Sequence, residues 1–254
     1  MNKNERLSKI LEILRAEGNA STKYLANILQ VSEATIRRDL YKLSLEENLP
    51  VKRVHGGVIY SLEKIGLEPM FDIKLSQRVE EKKKLAKLAS SLVEDGDTVI
   101  LDSGTTCYYL AKELAQMKGL KIVTVDVKIA EELARYPSIQ TILVGGEVRP
   151  GYFSIGGEMA TKYLSEIRAE KGFLATDGWD IEGTYNASMF EVGVKRAIIK
   201  SSIKTYLIAD HTKYGKIAFI KIADLSSFEG IIVDRELPED VMKILKEKNI
   251  KIIF

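Results

Sequence analysis

From residue 98 to the end of the chain, short apolar runs alternate with stretches of helical periodicity. The runs are residues 98–101, 121–125, 141–144, 172–175, 205–209, 230–233 and 250–254, and helical segments at 106–116, 128–135, 190–201 and 239–248 fall between many of them. Apolar runs this short are strands that can be buried on both faces. Strands separated by helices connect by crossovers rather than hairpins, so the expected fold is α/β, with a mostly parallel sheet covered by helices.

The N-terminal residues follow a different period. Leu7, Ile10, Leu11 and Leu14 recur at helical spacing and Gly18 closes the pattern. Thr22 is placed to cap a second helix carrying Tyr24, Leu25, Ile28 and Leu29. Val31 and Ser32 make a short turn, and Ser32 is a good N-cap for a third helix with Ile36, Leu40 and Leu43 on its buried side. Residues 50–60 read as a two-stranded hairpin with Gly56-Gly57 near its turn. The expected organisation is a small helical domain over 1–60, a linker over 61–73, and a larger domain over 74–254 that opens with a charged helix at 74–93.

Charge supports that division. Residues 1–60 carry 10 Lys+Arg against 7 Asp+Glu, whereas the remainder carries 28 against 29. The positive excess therefore sits in the N-terminal quarter, the sign expected of a DNA-facing module. Cys107, His55 and His211 are the chain's only cysteine and histidines, which nearly excludes a Cys/His zinc site and leaves no intrachain disulfide. No metal or cofactor is expected. No apolar run approaches the ~18 residues that span a membrane, and the start lacks the apolar core of a signal peptide, so a cytoplasmic location is expected.

Two helices joined by a tight turn make a helix-turn-helix, whose second helix enters the major groove. With Ile36, Leu40 and Leu43 inward, Ala34, Arg38 and Tyr41 face away from the core, flanked by Thr35, Arg37 and Lys42. Arginine can grip guanine bidentately or hold phosphate, and threonine can meet a base edge. Lys52, Arg53 and His55 lie on the hairpin, where a wing touches the DNA backbone. The candidate DNA-contacting set is Thr22, Ser32, Thr35, Arg37, Arg38, Lys42, Arg53 and His55. A solvated charged helix face is the competing explanation of the arginines.

In the larger domain, Asp102-Ser103-Gly104-Thr105-Thr106 follows a strand and opens a helix. Backbone N–H groups there favour an anion, although Ser and Thr are also ordinary caps. Other strand ends supply Thr124, Gly145-Gly146, Asp177, and Asp210 with Lys213, and ligands of open α/β sheets bind at carboxyl ends of strands. Each of these residues is also a common turn residue. Trp179 suits a pocket or the core equally. Cys107 is expected to pack rather than to react, and His211 to be a satisfied loop residue.

The string Val31-Ser32, Thr35 to Leu40, then Arg53, His55, Gly56 and Gly57 resembles the N-terminal module of the DeoR family of bacterial sugar-metabolism regulators. The order of Asp102 to Thr106, Gly145-Gly146, Phe173 with Asp177-Gly178, Glu191 with Lys195, and Asp210 to Lys213 is similar to that family's sensor domain. The resemblance covers nearly the whole chain. It implies a winged helix-turn-helix followed by a sensor of the ribose-phosphate isomerase/CoA-transferase type, a phosphorylated sugar as effector, and repression of a carbohydrate operon. Ser103 to Thr106 would cradle the phosphate, and Asp177, Lys195 and Lys213 would contact hydroxyls or, for the lysines, the phosphate. Asp39 would buttress an arginine rather than touch DNA. Where the family has Thr-Asn-Ser, this chain has Thr124-Val125-Asp126, and Asp126 either stands near the anion or caps the next helix.

The rival reading is a sugar-phosphate isomerase or deaminase with an appended DNA-binding module, for which Asp177, Glu191, Asp210 and Lys213 are the acid-base candidates. The N-terminal module has no part in such chemistry, so no enzyme is expected. The expected partners are double-stranded operator DNA, a small phosphorylated effector and a second copy of the chain, since paired recognition helices read half-sites one helical turn apart.

Overall fold

A computed structural model describes residues 2–45, 51–60 and 70–254, and it divides into two compact units, Met1–Val79 and Glu80–Phe254. In the first unit, helix α1 (Lys3–Glu17) opens on a capping box between Asn2 and Glu5 and ends at Gly18, whose left-handed backbone closes the helix. Strand β1 (Asn19–Ser21), α2 (Thr22–Leu29) and α3 (Glu33–Leu43) follow, then β2 (Val51–Val54), β3 (Gly57–Tyr60) and α4 (Phe71–Leu75). The helices bury Ile10, Leu14, Leu25, Ile36, Leu40 and Leu43 against one another and against Val58 of β3.

Four expectations for this part of the chain change. The wing is a three-stranded antiparallel sheet in the order β1-β3-β2 rather than a two-stranded hairpin; β1 is too short to show periodicity. The cap of α2 is Ser21, whose Oγ accepts from the Tyr24 N–H at 3.0 Å, and Thr22 is the first helical residue. The linker reading lies outside the described residues as far as 69, but beyond it Met70, Phe71 and Ile73 are buried. The single helix expected over 74–93 is two helices. One is α4, ending at Leu75; the other is α5 (Val79–Ser90), and between them Arg78 takes a φ of 50°, which a continuous helix does not contain.

The second unit continues from α5 through β4 (Thr98–Leu101), α6 (Thr105–Leu114), β5 (Lys121–Thr124), α7 (Val127–Leu133) and β6 (Gln140–Leu143). A ribbon, β7 (Glu147–Val148) with β8 (Ile155–Gly156), leads to α8 (Glu158–Ser165) and β9 (Ala169–Ala175). Next come β10 (Gly178–Asp180), β11 (Gly183–Asn186), α9 (Val192–Ser201), β12 (Ser202–Ile208), β13 (Ile220–Ala223), β14 (Gly230–Ile232), α10 (Glu239–Glu247) and β15 (Ile252–Ile253).

Seven strands form one sheet in the order β15-β14-β12-β9-β4-β5-β6, and every pairing in it is parallel. These are the seven apolar runs of the sequence. Side chains alternate across each strand, so the central strands feed two cores. Val99, Leu101, Ile122, Phe173 and Ile232 share a core with Leu85, Leu110 and Leu133 of α5, α6 and α7. Ile100, Val123, Leu174, Leu207 and Ile231 share the other with Leu164, Ile198 and Leu245 of α8, α9 and α10. Burying each such side chain contributes roughly 1.5–3 kcal/mol. A small antiparallel sheet, β10-β11-β13, was not evident in the sequence because its strands are short and partly polar. The mixed α/β architecture with a parallel sheet stands as expected.

Candidate DNA interface and effector site

On α3, the N-cap is Ser32: its Oγ accepts from the Thr35 N–H at 3.2 Å and lies 3.0 Å from Thr35 Oγ1. That cap fixes the start of the helix, and thereby the direction of the following turn. Ala34, Arg37, Arg38, Tyr41 and Lys42 are exposed, Thr35 is half-buried, and Ile36, Leu40 and Leu43 are inward, as the helical period requires. Arg37 pairs with Glu33 one turn back at 3.2 Å, an exposed contact of small energy. On the wing, Lys52, Arg53 and His55 are exposed. The Arg53 guanidinium stands 5.7 Å from the Tyr41 ring centroid, a cation–π contact that ties wing to recognition helix.

Two residues behave differently from the rest. Thr22 is buried, so its side chain is unavailable for the DNA contact expected of it; its N–H donates to Gly56 O at 2.9 Å. Asp39 is buried and accepts from Arg6 Nε of α1 at 2.5 Å. It does buttress an arginine, but on α1 rather than on α3. A cleft of about 530 Å³ runs between α2, α3 and the wing, and Lys23, Arg37, Arg53 and His55 are among the residues lining it.

In the second unit, strand order reverses at the β4–β9 junction: β5 and β6 extend one way, β12, β14 and β15 the other. Loops after the two central strands diverge at such a switch point and leave room for a ligand. Here Asp102, just past β4, accepts from the Ala175 N–H at 3.0 Å and from Lys195 Nζ at 2.5 Å, while Lys195 also donates to Ala175 O at 3.0 Å. Both charges are buried, and Asp102 Oδ1 has no hydrogen-bond partner. Burial works against the Lys195 charge, but Asp102 and then Glu191 outweigh it and hold the ammonium protonated.

Around this pair the strand ends are tied down. Gly104 opens α6 with no side chain capping it, and its N–H donates to Asp126 Oδ2 at 2.9 Å. Asp126 Oδ1 accepts from the Lys128 and Ile129 N–H groups, so this residue caps α7 and braces the β4 loop together. Burial pushes its carboxyl up to about 6 despite those three hydrogen bonds. Thr124 Oγ1 accepts from the Asp126 N–H at 3.2 Å. Asp177 accepts from the Ala187 N–H, and Asp210 caps the 3-10 turn His211–Lys213 through the Thr212 N–H. Ser103 and Thr105 are buried, Thr106 is half-buried, and Gly145 and Gly146 are exposed beyond β6. Lys213 is half-buried beyond β12.

The remaining sequence choices resolve simply. Trp179 is fully buried, edge-on to Tyr214 with ring centroids 4.9 Å apart, and belongs to the core. Cys107 is buried and burial pushes its thiol up, as suits a packing residue. His211 is held by Asp234 at both its backbone N–H and its ring Nδ1. Among the described residues, no group of three or more His, Cys, Asp or Glu side chains is placed to hold a metal ion, and no helix is long and apolar enough to cross a membrane.

Residues 6–64 match the family model of the DeoR-like helix-turn-helix domain, and residues 77–235 that of the DeoR C terminal sensor domain. The chain belongs to the DeoR family. It is 36% identical over 238 residues to a putative sgc region transcriptional regulator of Escherichia coli, covering 93% of this chain and 91% of the relative. It is 33% identical to the glycerol-3-phosphate regulon repressor of Escherichia coli, covering 99% of both chains, and 32% identical to the transcriptional repressor GlcR of Bacillus subtilis, covering 98% and 95%. Like these relatives, this DeoR-family chain is a DNA-binding transcriptional regulator rather than an enzyme. Among solved structures, ribose 5-phosphate isomerase A of Neisseria gonorrhoeae is similar over 52% of each chain, at 18% identity and a TM-score of 0.38.

In the DeoR-family sensor, Glu191, an acid-base candidate of the sequence and part of the family spacing with Lys195, gathers three polar residues that the sequence does not place in the site. Glu191 is buried and accepts from Ser154 Oγ at 2.6 Å, Arg149 Nη1 at 3.2 Å and Asn186 Nδ2 at 3.0 Å. Burial alone would raise its carboxyl, but the Lys195 charge, the Ser154 hydrogen bond and Arg149 hold it below the ordinary range. Arg149, Ser154 and Asn186 come from separate loops and strands, and no periodicity or spacing in the sequence marks them. Val125, the departure from the family pattern, is an apolar core residue here.

Proposed function

We propose that this chain represses carbohydrate-metabolism genes, and that a small phosphorylated sugar at the carboxyl ends of β4 and β9 releases it from its operator. The observation that carries the reading is the start of α6. A ten-residue helix opens at the switch point of the sheet on Gly104, without a side-chain cap, among Ser103, Thr105 and Thr106. Helix N-terminal N–H groups and adjacent hydroxyls suit a phosphate, and the Asp102–Lys195 pair stands next to them. The name of one relative supports the chemistry, since it ties a repressor of the same length to the glycerol-3-phosphate regulon. Asp177 and Lys213 are assigned to the sugar portion, and Asp102, Thr124 and Lys195 to holding the loops in place.

On the DNA side, Arg38 and Thr35 are assigned to base edges, Arg37 and Lys42 to the groove walls, and Arg53 and His55 to phosphates beside the wing. Two copies joined through the sensor domain present two recognition helices. A gel-filtration mass near that of a monomer at micromolar concentration would contradict this assembly.

The test is fluorescence anisotropy of the full chain on a duplex that the chain selects from random sequence, with a scrambled duplex as control and fixed salt. A panel of phosphorylated and unphosphorylated sugars is then added. Release by one phosphorylated compound and not by its unphosphorylated form is expected. Release by an unphosphorylated sugar would overturn the phosphate assignment.

A further inference from the structure

The family's helix-turn-helix model ends at residue 64 and its sensor model begins at 77, so α4 belongs to neither. In the structure this short helix is part of the DNA-reading unit, which extends to Val79. Its anchoring is specific. The Met70 N–H donates to Asn19 Oδ1 of β1 at 2.7 Å, and Met70, Phe71 and Ile73 are buried. Asp72 Oδ2 stands 3.4 Å from Ser21 Oγ, the cap of α2. Ser76 Oγ lies 3.2 Å from His55 O at the tip of the wing, and 3.0 Å from Ile73 O.

The two glycines of the wing make room for this helix. A Cβ on Gly57 would lie 2.8 Å from Ile73 Cδ1 and 2.4 Å from Ala20 O, well inside van der Waals contact. At Gly56, φ is +84° and a Cβ would meet Ser76 Oγ at 3.0 Å. The Gly-Gly pair of the His55-Gly56-Gly57 string thus serves two ends at once: Gly56 turns the chain at the wing tip, and Gly57 lets α4 pack flush against β3. Besides α4, the turn is held against α2 by the Thr22 N–H bond to Gly56 O and by the β1–β3 pairing that sets Ser21 opposite Gly57.

We propose that α4 is a positioning element for DNA recognition, with Ile73 and Ser76 fixing the wing so that Arg53 and His55 meet the DNA backbone. This rests on the reading that the wing contacts phosphate. Neither Ile73 nor Ser76 touches DNA; each acts through the wing. An unsupported wing still folds, but it spends its time in orientations that place Arg53 away from the backbone. Its phosphate contacts are then lost together with their counterion release, which flattens the salt dependence of binding.

The experiment measures affinity for the selected duplex across a salt series for the wild type, Arg53→Ala, Ile73→Ala and the double variant, with thermal unfolding of each alongside. Ile73→Ala is expected to bind about fivefold to twentyfold more weakly and to lower the salt slope by about one, as Arg53→Ala does. The double variant should be within about twofold of Ile73→Ala, because two changes on one contact do not add. Ile73→Val should restore most of the affinity. Should Ile73→Ala fail to fold, Ile73→Val combined with Ser76→Ala carries the same comparison. Additive losses, or an unchanged salt slope in a folded Ile73 variant, would overturn the positioning role while leaving the wing contact intact. An Arg53→Ala chain that binds like the wild type would overturn the wing contact itself, and the positioning role with it.

Discussion

The two units hold their candidate residues in opposite ways. On α3 and the wing, Arg37, Arg38, Lys42, Arg53 and His55 are exposed and bear little on the packing beneath them. In the sensor, Asp102, Thr124, Asp126, Lys195 and Asp210 are buried and bound to one another or to loop backbone. The candidate DNA-reading residues can therefore change with little cost to the fold, whereas the candidate sensor residues are both wall and framework. A loss of effector response on changing a sensor residue says little until stability has been measured beside it.

The largest effect separating the units is expected at Lys195. Lys195→Ala leaves the Asp102 carboxylate buried without its counter-charge, and breaking such a pair costs about 3–5 kcal/mol. Urea unfolding should show that loss, and Asp102→Asn added to it should cost less than the sum of the single changes. A loss below about 1 kcal/mol would mean that the pair is not the framework described here.

Asp126 comes next and carries a sign. Its carboxyl is raised to about 6 in the folded chain, so folding favours the protonated form. The penalty of the charged form is absent below the ordinary carboxylate range, near pH 4, and complete once pH has risen through about 6. Asp126→Asn keeps an acceptor for the α7 cap and removes the titration. Between pH 7 and pH 5 the wild type should gain on this variant by about 1–3 kcal/mol. Parallel stability curves for the two would refute the shift.

Smaller effects belong to the DNA unit. Arg38→Ala should weaken binding to the selected duplex by about 1–3 kcal/mol with its unfolding midpoint unchanged. Ser32→Ala removes the α3 cap and should cost about 1 kcal/mol of stability. A midpoint that falls as far for Arg38→Ala as for Ser32→Ala would erase the distinction between reading surface and framework.

The same distinction explains what was legible in the sequence. Burial periodicity writes itself into sequence, so the seven parallel strands and α1, α2 and α3 could be placed from spacing. Aspartates one or two residues past β4, β5, β9 and β12, namely Asp102, Asp126, Asp177 and Asp210, marked the carboxyl edge of the sheet. Their partners could not be read, because Lys195 and the Ala175 N–H reach Asp102, and the Gly104 N–H reaches Asp126, from distant segments. The end of the linker is illegible in the sequence for a related reason. Met70, Phe71 and Ile73 are apolar at helical spacing, but one turn of helix is too short for the pattern to stand out beside Pro69. Ser21 and Thr22 are chemically equivalent as caps of α2, and only the β1 register separates them.

The central claim is that the open face of α3 reads base sequence, with Arg38 at its centre. The most direct measurement is the ratio of affinities for the selected and scrambled duplexes at one salt concentration, for the wild type and Arg38→Ala. A base contact predicts that the ratio falls about tenfold or more, with affinity for the scrambled duplex nearly unchanged. An equal loss on both duplexes, leaving the ratio where it was, would make Arg38 a phosphate contact and contradict the claim.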